Sequence, residues 1–147
     1  MEVHQSAVIL LLIVCVSFST HAQPQPPAEI KPRYLKFLKQ HFGPDMSEQK
    51  CDRKMKSGIT GPNGVCKDVN TFIQANSNQI KAVCGTGRPQ GGDLFKSGQQ
   101  FPVITCKLKR GSRPPRCAYR GNMSTRYVVL GCEKGWPVHY EEGTINY

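Results

Sequence analysis

The first pattern along the chain is an unbroken apolar run of twelve residues at positions 7–18 (AVILLLIVCVSF). The run is too short to span a bilayer as a helix, and it has the length of a signal-peptide core. Residues suited to a signal peptidase follow at Thr20 and Ala22, so we expect cleavage after Ala22. The pattern therefore predicts a signal peptide over residues 1–22 and a secreted, extracellular chain.

The mature chain opens with a segment that has almost nothing to bury. Residues 23–29 (QPQPPAE) are Pro-rich and polar, which predicts a flexible N-terminal arm over residues 23–33. Apolar positions recur at helical spacing only afterwards, at Leu35, Leu38 and Phe42. We therefore expect the folded domain over residues 34–147.

Helical spacing and capping residues predict three short helices in the first part of this domain. In chain order they cover residues 34–42, a segment from a capping box at Asp45 and Glu48 to Lys56, and residues 76–83, ended by Gly85.

The rest of the domain contains short runs of residues typical of strands, and Gly and Pro separate these runs. The predicted strands are 69–73, 101–109, 118–120, 126–132 and 137–141, and residues 85–93 (GTGRPQGGD) are predicted to form a flexible loop. Helices followed by strands indicate an α+β domain, with three short helices packed on a bent antiparallel β-sheet.

The charge balance indicates an anionic partner. The full chain has 20 Lys and Arg against 10 Asp and Glu, a net charge of +10. Removing residues 1–22 takes away one acid, Glu2, and leaves 20 against 9, or +11. Such a charge favours association with RNA, DNA, heparin-like glycans or anionic membranes, and by itself it does not choose among them.

The cysteines predict a disulfide framework. Seven become six in the mature chain, because Cys15 lies in the apolar run. Six cysteines in a small secreted domain indicate three disulfides, each worth about 2–4 kcal/mol, and they leave 15 possible pairings. The competing interpretation is a zinc site, but no two cysteines have the ligand spacing it needs. We expect no metal and no cofactor.

Only two histidines, His41 and His139, remain in the mature chain. Cleavage of RNA beside its 2′-hydroxyl needs one group to take a proton and another to give one, and imidazoles do both at neutral pH. A cation near the phosphate would stabilise the charged transition state. Each histidine taken singly is more often an ordinary surface or core residue, so the pattern alone does not bring the two together.

Three motifs carry a family resemblance. Residues 66–72 (CKDVNTF) match a CKxxNTF signature, residues 36–41 (KFLKQH) match a first-helix histidine motif, and residues 137–140 (PVHY) match a C-terminal histidine motif. With its six cysteines the chain resembles the pancreatic-type ribonuclease (ribonuclease A) superfamily, most closely its angiogenin-like, three-disulfide members. The resemblance covers about residues 34–143 and implies metal-independent cleavage of single-stranded RNA 3′ of pyrimidines, through a 2′,3′-cyclic phosphate.

The resemblance also implies roles for individual residues. His41 would be the base for the 2′-hydroxyl, His139 the acid for the 5′-oxygen, and Lys67 the cation that stabilises the transition state. The implied substrate-binding residues are Lys36 and Gln40 at phosphates, Thr71 at the pyrimidine, Glu133 at the following base, and Asn70 and Tyr140 within the motifs. The implied disulfides are Cys51–Cys106, Cys66–Cys117 and Cys84–Cys132.

Some positions depart from the family pattern. A fourth disulfide is missing between Cys84 and Cys106. Glu141 stands where the family usually has Asp, and we expect it to orient His139 through a longer arm. Thr105 stands where digestive members have an acid that tunes pyrimidine choice. Angiogenin's arginine cluster is only partly matched by residues 53–56 (RKMK).

Two surface features bear on partners. Residues 107–120 contain six cations, and Asn122-Met123-Ser124 is an N-glycosylation acceptor at a predicted hairpin tip. Besides RNA, the expected partners of a monomer are heparin-like glycans, anionic bacterial membranes, ribonuclease inhibitor or a cell-surface receptor. The alternative functions are a cationic host-defence protein and an angiogenin-like signalling ligand, both with little dependence on catalysis.

Overall fold

The structure, a computed structural model, describes residues 24–143. The predicted signal peptide, residues 1–22, lies outside the described residues. Within 24–143, none of the helices has the length and apolar character that crossing a membrane requires.

In the described part of the chain three α-helices form, as predicted, with shifted ends. They are α1 (Lys31–His41), α2 (Cys51–Lys56) and α3 (Ser77–Thr86), and short 3₁₀ turns occupy Glu48–Lys50 and Pro62–Gly64. Helix α1 begins three residues before the predicted start. Its first turn contains Pro32, whose fixed φ suits that position, and Ile30 just before it is fully buried. The last residues of the predicted arm are therefore helical.

The predicted capping box at Asp45 and Glu48 is wrong. Ser47 precedes the 3₁₀ turn without a side-chain cap, and the carboxylate of Glu48 instead accepts a hydrogen bond from the Met123 N–H at 2.8 Å. The capping box that does form is at α3, where Asn76 and Gln79 cap each other's main-chain N–H groups. Helix α3 continues through Gly85, which keeps a right-handed conformation, and ends before Gly87.

Between residues 24 and 143, seven strands form two antiparallel sheets. The strands are β1 (Val69–Ile73), β2 (Arg88–Gly91), β3 (Leu94–Lys96), β4 (Phe101–Leu108), β5 (Tyr119–Arg126), β6 (Val129–Glu133) and β7 (Trp136–Tyr140). One sheet has the order β1-β4-β5 and the other the order β2-β3-β6-β7. The predicted α+β class with antiparallel pairing is confirmed, and the strands form two sheets where the sequence predicts a single bent sheet.

Two strand predictions are corrected. Residues 85–93, predicted as a loop, contain the end of α3 and strand β2, which pairs with β3 as a hairpin. The exposed sequence RPQG in β2 has no apolar alternation from which a strand could be predicted. Strand β5 continues to Arg126, so Asn122 lies in mid-strand opposite Thr105 and not at a hairpin tip.

The three predicted disulfides all form, and two of them lie within the two parts of the core. One part packs α1 and α3 against β6 and β7 around Phe37, Ile80 and Leu130, and it contains the Cys84–Cys132 disulfide. The other packs α2 against β1, β4 and β5 around Met55, Phe72 and Ile104, and it contains Cys51–Cys106. Cys66–Cys117 joins the segment before β1 to the segment before β5.

Gly121 allows the 3₁₀ turn and α2 to pack directly on β5. A Cβ at this position would lie 2.5 Å from the carbonyl oxygen of Glu48 and 2.9 Å from the Cys51 sulfur. This close approach lets Glu48 reach the Met123 N–H and lets Asp52 accept from the Tyr119 N–H at 2.7 Å. Two main-chain donors of β5, which lies at the sheet edge, are thereby satisfied.

We predict that Gly121→Ala lowers the free energy of unfolding by about 1–3 kcal/mol, because the added methyl group meets backbone atoms that cannot move aside. Gly85→Ala is the matched control. Its Cβ would enter open space in a helix, so it should raise stability by about 0.4–1 kcal/mol. Urea denaturation with the disulfides intact measures both. Equal midpoints for the two variants would contradict this account of the α2–β5 packing.

Candidate active site

The three residues predicted to be catalytic line one cleft of about 560 Å³. His41 comes from the last turn of α1, Lys67 from the segment before β1, and His139 from β7. The cleft is completed by residues from α1, the β2–β3 turn and the end of β7, namely Arg33, Lys36, Phe37, Gln40, Asp93, Val138, Tyr140, Glu141 and Glu142. Residues about a hundred positions apart therefore meet at one surface.

His41 is held in one orientation. Its Nδ1 lies 2.8 Å from the main-chain carbonyl oxygen of Thr71, and its ring stacks on Tyr140 with 5.2 Å between centroids. Because a carbonyl oxygen only accepts, Nδ1 carries the proton, and in the neutral ring Nε2 is left as the base.

Burial lowers the pKa of His41 from 6.5 to about 3. The Thr71 carbonyl opposes this shift, while the charges of Lys67 and His139 add to it. The ring is therefore neutral at pH 7, which is the form that accepts a proton.

Lys67 is positioned through Asn70. The Lys67 ammonium donates to Asn70 Oδ1 at 2.7 Å, and Asn70 Nδ2 donates to the main-chain carbonyl of Gln40, also at 2.7 Å. Asn70 is fully buried, so it supports the cleft from behind. Burial lowers the pKa of Lys67, and the carboxylate of Glu142 opposes that shift.

Among the three predicted catalytic residues His139 is the exposed one, with 58% of its side-chain surface accessible. It lies opposite Gly131, whose missing side chain leaves room, since a Cβ there would be 3.0 Å from His139 Cβ. Its Nε2 lies 3.6 Å from Glu141 Oε2, an ion pair when the imidazole is protonated. The predicted orientation of His139 by Glu141 has this contact in its favour.

Thr71, the predicted pyrimidine reader, is engaged by Glu142. The Thr71 N–H donates to one carboxylate oxygen at 2.7 Å, and the Thr71 hydroxyl donates to the other at 2.9 Å. Thr105 lies beside it, with 3.5 Å between the two hydroxyl oxygens. The groups that would recognise a base are thus occupied from within the same chain.

The remaining predicted residues lie at different distances from the cleft. Tyr140 lines it but is buried, and burial raises the pKa of Tyr140 to about 12. Lys36 and Gln40 line it and also line, with Lys67, an adjoining depression of about 560 Å³. Glu133 does not line the cleft, and it forms an ion pair with Arg33, which does.

Two cleft residues, Glu142 and Arg33, were not identified from the sequence. Glu142 follows Glu141 at the end of the last strand, and no local pattern indicates that it folds back to Thr71. The sequence pattern predicts that Arg33 belongs to the flexible arm. A correct start for α1 would have placed it one turn before Phe37, on the face that meets the cleft.

In the part of the chain that the structure describes, no group of three or more His, Cys, Asp or Glu is arranged to hold a metal ion.

Comparisons with known proteins match this sequence and fold to one family. The family model "Pancreatic ribonuclease" matches residues 32–141. "Ribonuclease-like 3" of Danio rerio is 49% identical over 151 residues, covering 99% of both chains. "Angiogenin" of Mus musculus is 44% identical over 124 residues, covering 81% of this chain and 83% of its own. The X-ray structure of zebrafish RNase5 is 60% identical, with a TM-score of 0.77, and covers 81% of this chain and 100% of its own.

The fold and the cleft are those of an RNA-cleaving enzyme with an α+β core and three disulfides. The chain belongs to the pancreatic ribonuclease family, as an angiogenin-like member, and it is an endoribonuclease.

We predict that His41 makes stability depend on pH in the weakly acidic range. The unfolded chain binds a proton at His41 near pH 6.5, whereas the folded chain does so only near pH 3. The contribution of neutral His41 to the free energy of unfolding is complete above pH 6.5. It is lost as the pH falls from 6.5 toward 3, and the free energy of unfolding then drops by up to about 1.4 kcal/mol per pH unit. Denaturation of the wild type and of His41→Asn between pH 5 and 7.5 measures this. The stability difference should change with pH below 6.5, and a constant difference would contradict it.

We predict that Glu142→Ala increases affinity for uridine 3′-phosphate, because the nucleotide no longer has to displace a carboxylate from Thr71. If that displacement costs about 1.4 kcal/mol, the apparent affinity rises roughly tenfold. Glu142→Gln, which keeps one acceptor oxygen, should give an intermediate gain. Isothermal titration calorimetry measures the affinity of the wild type and of both variants for uridine 3′-phosphate. Unchanged affinity in Glu142→Ala would show that the carboxylate does not compete with the base.

Proposed function

We propose that this ribonuclease cleaves single-stranded RNA 3′ of pyrimidines by metal-independent transesterification. The observation that carries the proposal is the convergence of His41, Lys67 and His139 on one cleft. A base, an acid and a fixed cation together meet the requirements of the reaction.

The reaction begins at the 2′-hydroxyl of the nucleotide before the cut. Neutral His41 takes the hydroxyl proton on Nε2, and the 2′-oxygen attacks phosphorus. Protonated His139 donates its proton to the departing 5′-oxygen, which leaves as a hydroxyl. The products are a 2′,3′-cyclic phosphate and a free 5′-hydroxyl end, and each proton transfer contributes roughly 10²–10⁴-fold.

Lys67 stabilises the charge that develops on the phosphoryl oxygens. Its bond to Asn70 fixes the ammonium before substrate arrives, so little reorganisation is needed in the transition state. Gln40 and Lys36 hold phosphate oxygens nearby, in keeping with their place in the cleft and in the adjoining depression. Tyr140 packs on His41 and limits its movement.

Thr71 recognises the pyrimidine through its main-chain N–H and its hydroxyl, after Glu142 has moved away. Thr105 lies next to that hydroxyl and contributes no charge, so we expect no strong discrimination between uracil and cytosine. Glu133 contacts the following base when its ion pair with Arg33 opens.

The enzyme is secreted, with residues 1–22 as its signal peptide and residues 34–147 as the catalytic domain. Three disulfides in a small domain support an oxidising compartment, and angiogenins are among its relatives.

The test is cleavage of an oligonucleotide with one ribo-uridine in a DNA background, in EDTA, from pH 5 to 8. We expect a single cut 3′ of the ribose residue and its loss in His139→Ala. Lys67→Ala should also be strongly impaired, whereas Lys109→Ala, which removes an exposed lysine, should cleave this short substrate normally. A requirement for added metal, or full activity in His139→Ala, would contradict the proposal.

A second candidate function, host defence by charge, is favoured by the β4–β5 hairpin. Its six cations are all exposed, at Lys107, Lys109, Arg110, Arg113, Arg116 and Arg120. The same His139→Ala protein separates the two functions, because bacterial killing that depends on charge alone would persist when cleavage is lost.

A further inference from the structure

The sequon Asn122-Met123-Ser124 has no part in the chemistry described above, yet it lies beside the base-recognition residues. Asn122 is exposed in the middle of β5, and within residues 24–143 its side chain makes no hydrogen bond. Strand β5 is an edge strand of its sheet. Helix α2 packs on β5 at Gly121, and because neighbouring residues of a strand point to opposite faces, α2 lies on the face away from Asn122. The exposed Asn122 side chain therefore has room for a bulky group.

The strand register places Asn122 in line with Thr71. Thr71 pairs with Thr105, and Thr105 pairs with Asn122. Residues directly opposite each other in antiparallel strands project from the same face of the sheet. Asn122 thus shares a face with the base-recognition pair, two strand spacings or about 10 Å from Thr71.

The third residue of the sequon binds a cation, Arg126, whose charge acts on Glu142 and Tyr140. The Ser124 hydroxyl accepts hydrogen bonds from Arg126 Nε and Nη2 at 3.2 and 3.0 Å. Arg126 in turn lies close enough to Glu142 and Tyr140 to favour their charged forms. The sequon therefore lies on the sheet-edge strand β5, with Asn122 in register with Thr105 and Thr71.

We propose that Asn122 carries an N-linked glycan, and that this glycan screens the base end of the cleft so that the modified enzyme favours short RNA over long or folded RNA. A short substrate reaches Thr71 from the cleft, whereas an extended or folded strand must also pass over β5. The inference about selectivity rests on the proposed role of Thr71.

The modification needs a lipid-linked oligosaccharyl pyrophosphate as donor, which the secretory pathway supplies. The side-chain nitrogen Nδ2 of Asn122 forms a bond to C1 of the first sugar. The bond from C1 to the pyrophosphate oxygen breaks, the lipid pyrophosphate leaves with the electron pair, and Nδ2 loses one proton to a base.

Occupancy is tested by secretion from cultured animal cells, using the native residues 1–22 and, in parallel, an established leader in their place. The second arm keeps the result independent of the predicted signal peptide. We expect a mass increase that peptide N-glycosidase removes, its loss in Asn122→Gln, and its retention in Ser124→Thr, which preserves the sequon. Secreted wild type of unmodified mass would overturn the proposal.

Selectivity is tested by comparing the wild type and Asn122→Gln, each made in animal cells and in bacteria, which attach no such glycan. From animal cells, we expect kcat/KM on a uridine-containing dinucleotide to agree within about twofold, and on a long folded RNA to be at least about fivefold lower for the wild type. From bacteria, the two proteins should be equal on both substrates.

Two results would contradict the screening role. Equal activity of the glycosylated and unglycosylated proteins on folded RNA would show that the glycan lies clear of the substrate. A difference that persists in the bacterial proteins would assign the effect to the Asn122 side chain itself. Loss of dinucleotide cleavage in all four proteins would instead count against the proposed catalytic function.

Discussion

The hydrogen bond from His41 Nδ1 to the Thr71 carbonyl oxygen joins helix α1 to strand β1 at the centre of the cleft. Strand β1 and the residues just before it make the hydrogen bonds that position several groups of the cleft. Lys67 is fixed by Asn70, Asn70 holds the end of α1 through Gln40, and Thr71 engages both His41 and Glu142. A shift of β1 by one residue would exchange its two faces and separate all of these groups at once.

The electrostatics of the cleft follow from burying this arrangement. A buried imidazole beside Lys67 stays neutral, which suits a base, and it lowers stability in acid because the unfolded chain binds the proton more readily. Glu142 places a carboxylate near Lys67 and Thr71, and it offsets part of the positive charge of the cleft. If Thr71 binds a base, as we propose, the Glu142 carboxylate has to leave Thr71 first, and this contact then lowers the affinity for substrate.

Much of the fold could be predicted from the sequence where local pattern dominates. The predicted bounds of strand β1 are correct because four of its five residues, all except Asn70, favour strands, and Asn76 is correctly predicted at the start of α3. The errors lie where tertiary contacts override local preference. Glu48 binds β5 and does not cap its own helix, and the β2 sequence forms a strand only because β3 is beside it. The predicted cleft residues rest on the motif resemblance, because no local pattern brings His41 and His139 together. The sequence does not indicate Glu142, because its contact with Thr71 spans 71 residues.

The most direct test of the account is the tautomer of His41, read from imidazole ¹⁵N chemical shifts at neutral pH in the ligand-free enzyme. The bond to Thr71 requires the proton on Nδ1, so Nδ1 should have the shift of a protonated nitrogen and Nε2 that of an unprotonated one. This result would show a base already directed away from β1 before substrate binds. A proton on Nε2, or a ring that averages between the two forms, would mean that Thr71 does not orient His41, and the account of the site would fail at its centre.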